Sequence, residues 1–470
     1  MNTARRAPIA QRAIRAWATL GPEYLPFADA ASADLPLPRL LRLSLFKFTM
    51  GVTLALMLGT LNRVMIFELQ VSAWLVSLML ALPLLVAPFR AITGFQSDTH
   101  RSAFGWKRVP FMWGGTLIQF FGLAIMPFAL LVLSGGGAVP TPPWVGQGAA
   151  ALSFLMVGAG LQTSQTAGLA LATDQASEST RPRVVALMYV MLLLGTVLGS
   201  LSYSLLLADF SPQRLVQVVQ GTAMVVLLVN AFALWKQEPR NPQRAAAMKT
   251  EKAMPFREAW SRFIQNQRAR RFLWATGLGT AAFNMQDVVL EPYGGEILGL
   301  SVSATSSLTA LLAGGALIGY ILSGRSLARG IDPLRLAGYG AGLGLPAFSA
   351  VIFAAPMEAS WLFRLGAFGI GFSGGLFAVG TLLAAMRLEE GRFVGMALGA
   401  WGAVQATAAG VAMSMGGVLR DLLTQGWGAL TGYSGVYLLE IGLLVVAWVV
   451  MLPLLQAPKN PAFDAIRHRV

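Results

Sequence analysis

Twelve separate stretches of this chain stay apolar for the roughly twenty residues that an α-helix needs to cross a bilayer. They run at about 44–67, 71–92, 109–133, 147–171, 184–207, 215–235, 272–290, 302–323, 336–355, 361–384, 394–417 and 435–456. In hydrocarbon every backbone N–H and C=O must be paired within the protein, which leaves helices or a closed barrel. Continuous apolarity, rather than alternation at period two, selects helices. The expectation is therefore an all-α membrane protein with twelve transmembrane helices. Only 12% of its residues are charged, against about 25% in soluble domains.

The net charge of +14 suggests nucleic acid until the charges are placed. With Met1 inside, the tails and even-numbered connections, with their borders, carry 30 of the 35 Lys and Arg. The opposite side has only Arg214 and Arg420, while Lys47, Arg63 and Arg364 lie within spans or at their ends. This is the positive-inside pattern, with both termini cytoplasmic. The basic balance reports topology and contact with anionic membrane lipids, not nucleic acid. No early apolar run is present, so no cleavable signal peptide is expected. The expected organisation is a cytoplasmic N-terminal segment (1–43), a six-helix half (44–235), a basic linker (236–271), a second six-helix half (272–456) and a cytoplasmic tail (457–470). Ile9, Ala13, Ala16, Trp17 and Leu20 form an apolar stripe opposite Arg12 and Arg15, as in an amphipathic helix lying on a membrane or docking a partner. In the linker, Phe256, Trp260, Phe263 and Ile264 follow Pro255 and read either as a second surface helix or as a plain interdomain connection.

The connection after the second span reads GFQSDTHRSAFGWKR, with Gly94, Asp98, Gly105, Lys107 and Arg108. A Gly, an Asp and a basic cluster at this place resemble the cytoplasmic signature of the major facilitator superfamily, stretched by an insertion. Gly94 would allow a tight turn, and Asp98 with the basic groups would bridge helix ends across a cytoplasmic gate. An internal repeat agrees. Leu69-Gln-Val-Ser-Ala73 recurs as Leu300-Ser-Val-Ser-Ala304 at an offset of 231, Gly94 recurs near Gly324 at 230, and Arg183-Val-Val recurs as Arg392-Phe-Val at 209. Six spans, a long loop and six more spans form a two-half bundle of that superfamily's kind. Ala328 stands where the first half has Asp98, so the two gates are unequal.

Chemistry is sparse. There are no cysteines, which excludes disulfides, thiolate metal sites and iron–sulfur clusters. Both histidines, His100 and His468, fall outside the spans, and no catalytic or metal-ligating constellation is visible, so no enzyme is expected. Glycine runs such as Gly338-x-Gly340-x-Gly342-x-Gly344 lie within helices and read as close packing. Polar groups inside spans are the informative exceptions, because a carboxylate at mid-membrane costs roughly 2.5–3.5 kcal/mol on insertion scales. In Phe283–Ser301, helical spacing puts Asn284, Asp287 and Glu291 on one face. Gln286, Gln119, Gln405, Asn62, Arg63 and Glu68 complete the candidate ligand set. Because the first and seventh spans are equivalent by the repeat, Arg63 is expected to pair with Asp287 or Glu291.

Five long stretches make the resemblance specific: YLPFADAASADLPLPRLLRLSLF (Tyr24 to Phe46), GTLNRVMIFEL (Gly59 to Leu69), APFRAITGFQSDTHRSAFGWKRVPF (Ala87 to Phe111), FNMQDVVLEPYGGEILGLS (Phe283 to Ser301) and GMALGAWGAVQATAAG (Gly395 to Gly410). They closely resemble the PucC-type light-harvesting assembly factors of purple phototrophic bacteria, the bacteriochlorophyll delivery branch of the major facilitator superfamily. The resemblance implies a role in assembling antenna complexes in the intracytoplasmic photosynthetic membrane. Implied partners are the antenna α and β polypeptides, the reaction centre–antenna complex and pigment-synthesis enzymes. The implied cofactor is transiently bound bacteriochlorophyll. With no histidine in a span, its magnesium would need an oxygen ligand. The competing reading is a secondary transporter or exporter of a small solute, with Asp287 as a proton site.

Overall fold

A computed structural model describes residues 35–62, 64–71, 73–100, 102, 105–135, 142–207, 209–238, 255–300, 302–388 and 393–456. All regular structure among them is helical. The N-terminal stripe of Ile9 to Leu20, the tail after 456, residues 239–254 of the linker and Arg63 lie outside the described residues.

Helix α1, Leu37–Leu54, begins beside Pro38 and continues into two π-helical segments, Ala55–Leu61 and Val64–Glu68. Next, α2 (Ala73–Leu85) and α3 (Arg90–Thr99) are joined by a 3₁₀ turn, Ala87–Phe89. The half is completed by α4 (Val109–Leu133), α5 (Pro143–Gln175), α6 (Arg181–Leu206) and α7 (Pro212–Leu234). In the second half α8 (Phe256–Gln265) precedes α9 (Gln267–Met285), a 3₁₀ turn (Gln286–Val288) and α10 (Leu290–Glu296). The remaining helices are α11 (Val302–Ala328), α12 (Pro333–Ala354), α13 (Ser360–Leu388), α14 (Val394–Trp427) and α15 (Ala429–Gln456). Proline in the first turn starts α1, α4, α5, α6, α7 and α12, where its missing N–H has no helical partner to lose. Side chains cap others: Ser211 accepts from the Arg214 amide, Asn266 from Arg268, and Asp332 from Leu334 and Arg335.

Eleven helices among the described residues are long and apolar enough to cross a membrane. The expected span at 272–290 is the exception. It is not one continuous helix, because α9 stops at Met285 and the chain tightens through Gln286–Val288 before α10. Arg268, Arg270 and Arg271 also make the first turns of α9 polar. Several spans overrun their expected ends, as α5 and α14 do, because the membrane-length criterion sees only their apolar middles. The repeat accounts for the position of the break: at the 231-residue offset, the π segments of the first span correspond to residues 286–299. Both halves therefore lose regular α geometry at the same place, as in transporter folds whose leading helices are discontinuous.

Each half packs by close backbone approach. Gly115 of α4 lies against the Gly160 carbonyl of α5, and Gly371 of α13 against the Leu312 carbonyl of α11. Such contacts are how helices associate when the surrounding lipid is as apolar as leucine. The halves meet along two seams. In one, α3 runs against α14, with Gly94 on the Gly395 carbonyl. In the other, α6 runs against α11, where Gly324 faces Ala186 and Pro182, and Tyr189 stacks on Tyr320 at 4.8 Å. The seams are related by the repeat, since Gly94 maps to Gly324 at 230 and Ala186 to Gly395 at 209.

The linker helix α8 does not lie free on a lipid surface. Ala259 and Phe263 are buried, and the Phe256 ring meets Phe95 of α3 edge-on at 5.4 Å, while Phe95 also stacks on Phe393 at 5.8 Å. The helix thus packs across the end of the first seam. Phe263→Ala should remove most of this docking, at roughly 3–5 kcal/mol for a buried aromatic truncation. The measurement is limited proteolysis of the linker, and an unchanged cleavage rate would show the docking to be weak.

Candidate functional site

At the end of the first seam a buried ionic network joins the halves. The Asp98 carboxylate accepts hydrogen bonds from the Gly395 and Met396 amides, at 3.0 and 2.9 Å, in the first turn of α14. A carboxylate at a helix N-terminus meets unpaired N–H groups and the positive end of the helix dipole. Arg108 Nη2 lies 2.5 Å from Asp98 Oδ1, an ion pair by distance whose angle falls short of a hydrogen bond. Through Nε the same arginine reaches Asp174 Oδ2 at 2.9 Å, and through Nη1 it reaches Ser97 Oγ at 2.7 Å. Lys107 Nζ stands 4.0 Å from Asp98. Burial pulls the Arg108 pKa down, but Asp174 and Asp98 together hold it above its ordinary value. Arg108 is fully buried and two carboxylates share its charge.

Sequence reading missed two parts of this clasp. Glu238, just past α7, accepts from the amides of Lys107, Arg108 and Val109 at 2.7, 3.0 and 3.1 Å, so it caps α4 from about 130 residues away. No local signal marks that pairing. Asp174 at the end of α5 is the other. The expected turn at Gly94 is also corrected: Gly94 lies inside α3, and its role is contact, because a side chain there would collide with the Gly395 carbonyl. The turn glycine is Gly105, at φ 74°.

The remaining candidates separate into clusters. In the first half, Gln119 donates to Thr53 at 2.8 Å, beside a Thr49–Asn230–Thr116 chain with links of 2.6 and 3.2 Å. Its partners are inside the bundle, which suits a packing role. Asn62 is half-buried beside the π segments and Glu68 is exposed. Gln405 of α14 lies within hydrogen-bond reach of Tyr189.

In the second half, Asn284 donates to the Thr280 carbonyl of its own helix at 2.7 Å. Gln286 is buried, donates through Nε2 to Asp287, and has its Oε1 buried without a partner. Asp287 is solvent-accessible yet crowded by protein, as for a group lining a cleft. Glu291 instead accepts from Thr309 at 2.5 Å. The common face expected for Asn284, Asp287 and Glu291 assumed an unbroken helix, and the 3₁₀ turn ends that register. Glu440 of α15 is fully buried against the Gln286 backbone, and it lies close enough to Asp287 for their charges to interact. Tyr437 lies near it, in a ring cluster whose Tyr433 and Tyr437 centres are 5.2 and 5.8 Å from Tyr293. The expected partner of Asp287, Arg63, is outside the described side chains, so that pairing has no structural account.

Two pseudo-equivalent six-helix halves, broken leading helices and a clasp across one seam define a fold of the major facilitator kind. One solved structure of that architecture, a bacterial homologue of the iron transporter ferroportin in an outward-facing state, superposes with a TM-score of 0.69, covering 88% of this chain and 98% of that one at 16% identity. The chain belongs to the PUCC protein family, whose model matches residues 60–458. Protein PucC of Cereibacter sphaeroides is 52% identical over 444 residues, 93% of this chain and 96% of that protein. Protein PucC of Rhodovulum sulfidophilum is 52% identical over 415 residues, 88% and 91%.

Proposed function

We propose that this chain is a membrane assembly factor for bacterial light-harvesting antenna complexes, acting by binding bacteriochlorophyll, the antenna α and β polypeptides, or both. The observation that carries the reading is its near-full-length likeness, at 52% identity, to proteins called PucC from two purple bacteria. The proposed setting is the intracytoplasmic photosynthetic membrane, with both termini and the clasp on the cytoplasmic side, where the Lys and Arg concentrate. Reaction centre–antenna complexes and pigment-synthesis enzymes are its proposed further neighbours.

Bacteriochlorophyll would be cargo here. Its magnesium is a hard cation that accepts oxygen, and the residues around the broken helix fit such a group. The unpartnered Gln286 Oε1 and the accessible Asp287 carboxylate are hard oxygen donors in one place. The one described histidine, His100, ends α3 beside Phe111 at the clasp instead. Oxygen ligation would hold the pigment loosely enough to be passed to an acceptor polypeptide that offers imidazole.

The test is complementation of a deletion strain. Asp287→Asn should lower antenna absorbance relative to the intact gene, by at least threefold at equal protein level, without changing solute flux across the membrane. An unchanged antenna spectrum would remove Asp287 from the site. A second reading is favoured by the neighbouring acids, accessible Asp287 and buried Glu440, which suit a proton-coupled secondary transporter. In that case the same substitution would abolish flux while leaving antenna assembly intact.

A further inference from the structure

Two cations lie buried inside the first half with no acid among the described residues to offset them, and neither belongs to the clasp. Lys47, midway along α1, is 3% exposed. Its Nζ contacts Met50 Sδ at 3.9 Å and stands 5.8 and 6.0 Å from the rings of Phe46 and Tyr189. Arg90, at the start of α3, is likewise 3% exposed. Its Nε donates to Thr166 at 3.0 Å and its Nη1 to the Gly402 carbonyl of the other half at 3.2 Å, while Nη2 is buried without a partner. Each cation feels the other's charge. Among the described residues no carboxylate pairs with either.

An ion taken out of water without a counter-ion costs on the order of several kcal/mol even after relaxation, and two like charges side by side cost more. Rings, a hydroxyl and a carbonyl soften this but bring no negative charge. The chain treats its structural buried cation differently, since Arg108 is given both Asp98 and Asp174. Lys47 and Arg90 have no such counter-ion among the described residues.

We propose that Lys47 and Arg90 bind the oxyanion of an amphipathic ligand, a carboxylate or phosphate carried on an apolar body, at the boundary between the two halves. A buried ammonium and a buried guanidinium nitrogen without a partner together match an oxyanion that presents more than one acceptor oxygen. The surroundings suit an apolar body: the Phe46 and Tyr189 rings lie beside the Lys47 ammonium, and Tyr189 stacks on Tyr320 and meets Gln405, both contributed by the second half. Because Arg90 also holds the Gly402 carbonyl, an anion there joins the same arginine that ties α3 to α14. This site stands apart from the oxygen donors at Gln286 and Asp287, and it does not depend on the antenna reading.

The experiment uses the full-length protein purified in detergent and two matched probe pairs: pheophorbide a against its methyl ester, which keeps the macrocycle but loses the anion, and phosphatidylglycerol against phosphatidylcholine. Binding is read by quenching of tryptophan fluorescence for the first pair and by native mass spectrometry for the second. At least one anionic probe should bind tenfold more tightly than its partner, and Lys47→Met or Arg90→Gln should erase that preference. Preference for the free acid alone assigns a carboxylate ligand, and preference for phosphatidylglycerol alone assigns a lipid phosphate. Lys47→Met removes an uncompensated buried charge, so it should melt no lower than the parent and remain testable. An intact protein with no preference in either pair, or a preference that survives both substitutions, would overturn the proposal. An amine that stays neutral and only fills space gives that result.

Discussion

Arg108→Met is expected to loosen the clasp and destabilise the protein by roughly 3–5 kcal/mol, the usual penalty for removing one member of a buried ion pair. The effect is large because Arg108 compensates two carboxylates. Without it, Asp98 keeps only the Gly395 and Met396 amides and the distant Lys107 ammonium, and Asp174 loses its ion pair. A thermal melt in detergent measures the loss. Because the chain has no cysteine, a single cysteine introduced at Ser97 reports opening directly through its rate of maleimide labelling. Labelling should rise at least tenfold when Arg108→Met is added. An unchanged rate would mean that the seam is held by packing alone. Asp98→Asn should act in the same direction but less, since an amide still accepts from the α14 amides through one oxygen.

Gly94→Leu is expected to part the same seam by a different route. A side chain at position 94 would overlap the Gly395 carbonyl and the Met396 amide, which are backbone atoms with nowhere to retreat. The penalty should equal or exceed the ~1–3 kcal/mol typical of overpacking. Gly342→Leu on α12 is the control, because nothing lies within 4 Å of a side chain built there. Melting temperature and seam labelling should change for the first variant and stay near the parent for the second. Equal effects would show that general helix disruption, not the seam contact, is responsible.

Hydropathy carries most of the fold because each membrane helix must satisfy its own backbone and be apolar throughout. The repeat carries more: offsets of 230 and 209 residues relate the Gly94–Gly395 contact to the Gly324–Ala186 contact, so both seams are marked in the sequence. The clasp is legible through Asp98, Lys107 and Arg108, but not through Glu238 or Asp174, whose roles depend on long-range proximity that no local pattern encodes. The seventh span shows the opposite failure. Residues 272–290 are apolar enough to read as one helix, yet the chain tightens at Gln286–Val288 and sends Asp287 and Glu291 to different partners. Counting charge by span also hid the interior. Arg90 borders the cytoplasmic connection in sequence, yet it is buried and within the field of Lys47, while Asp287 and Glu440 cluster in the other half.

The most direct test of the central claim is the absorbance spectrum and subunit content of a tagged copy, gently solubilised from a phototrophically grown host. The account predicts bound bacteriochlorophyll, co-purifying antenna α and β polypeptides, or both, with the pigment signal reduced by Asp287→Asn. A colourless preparation free of antenna polypeptides, reproduced in several mild detergents, would contradict the assembly role and leave a transporter as the reading to pursue.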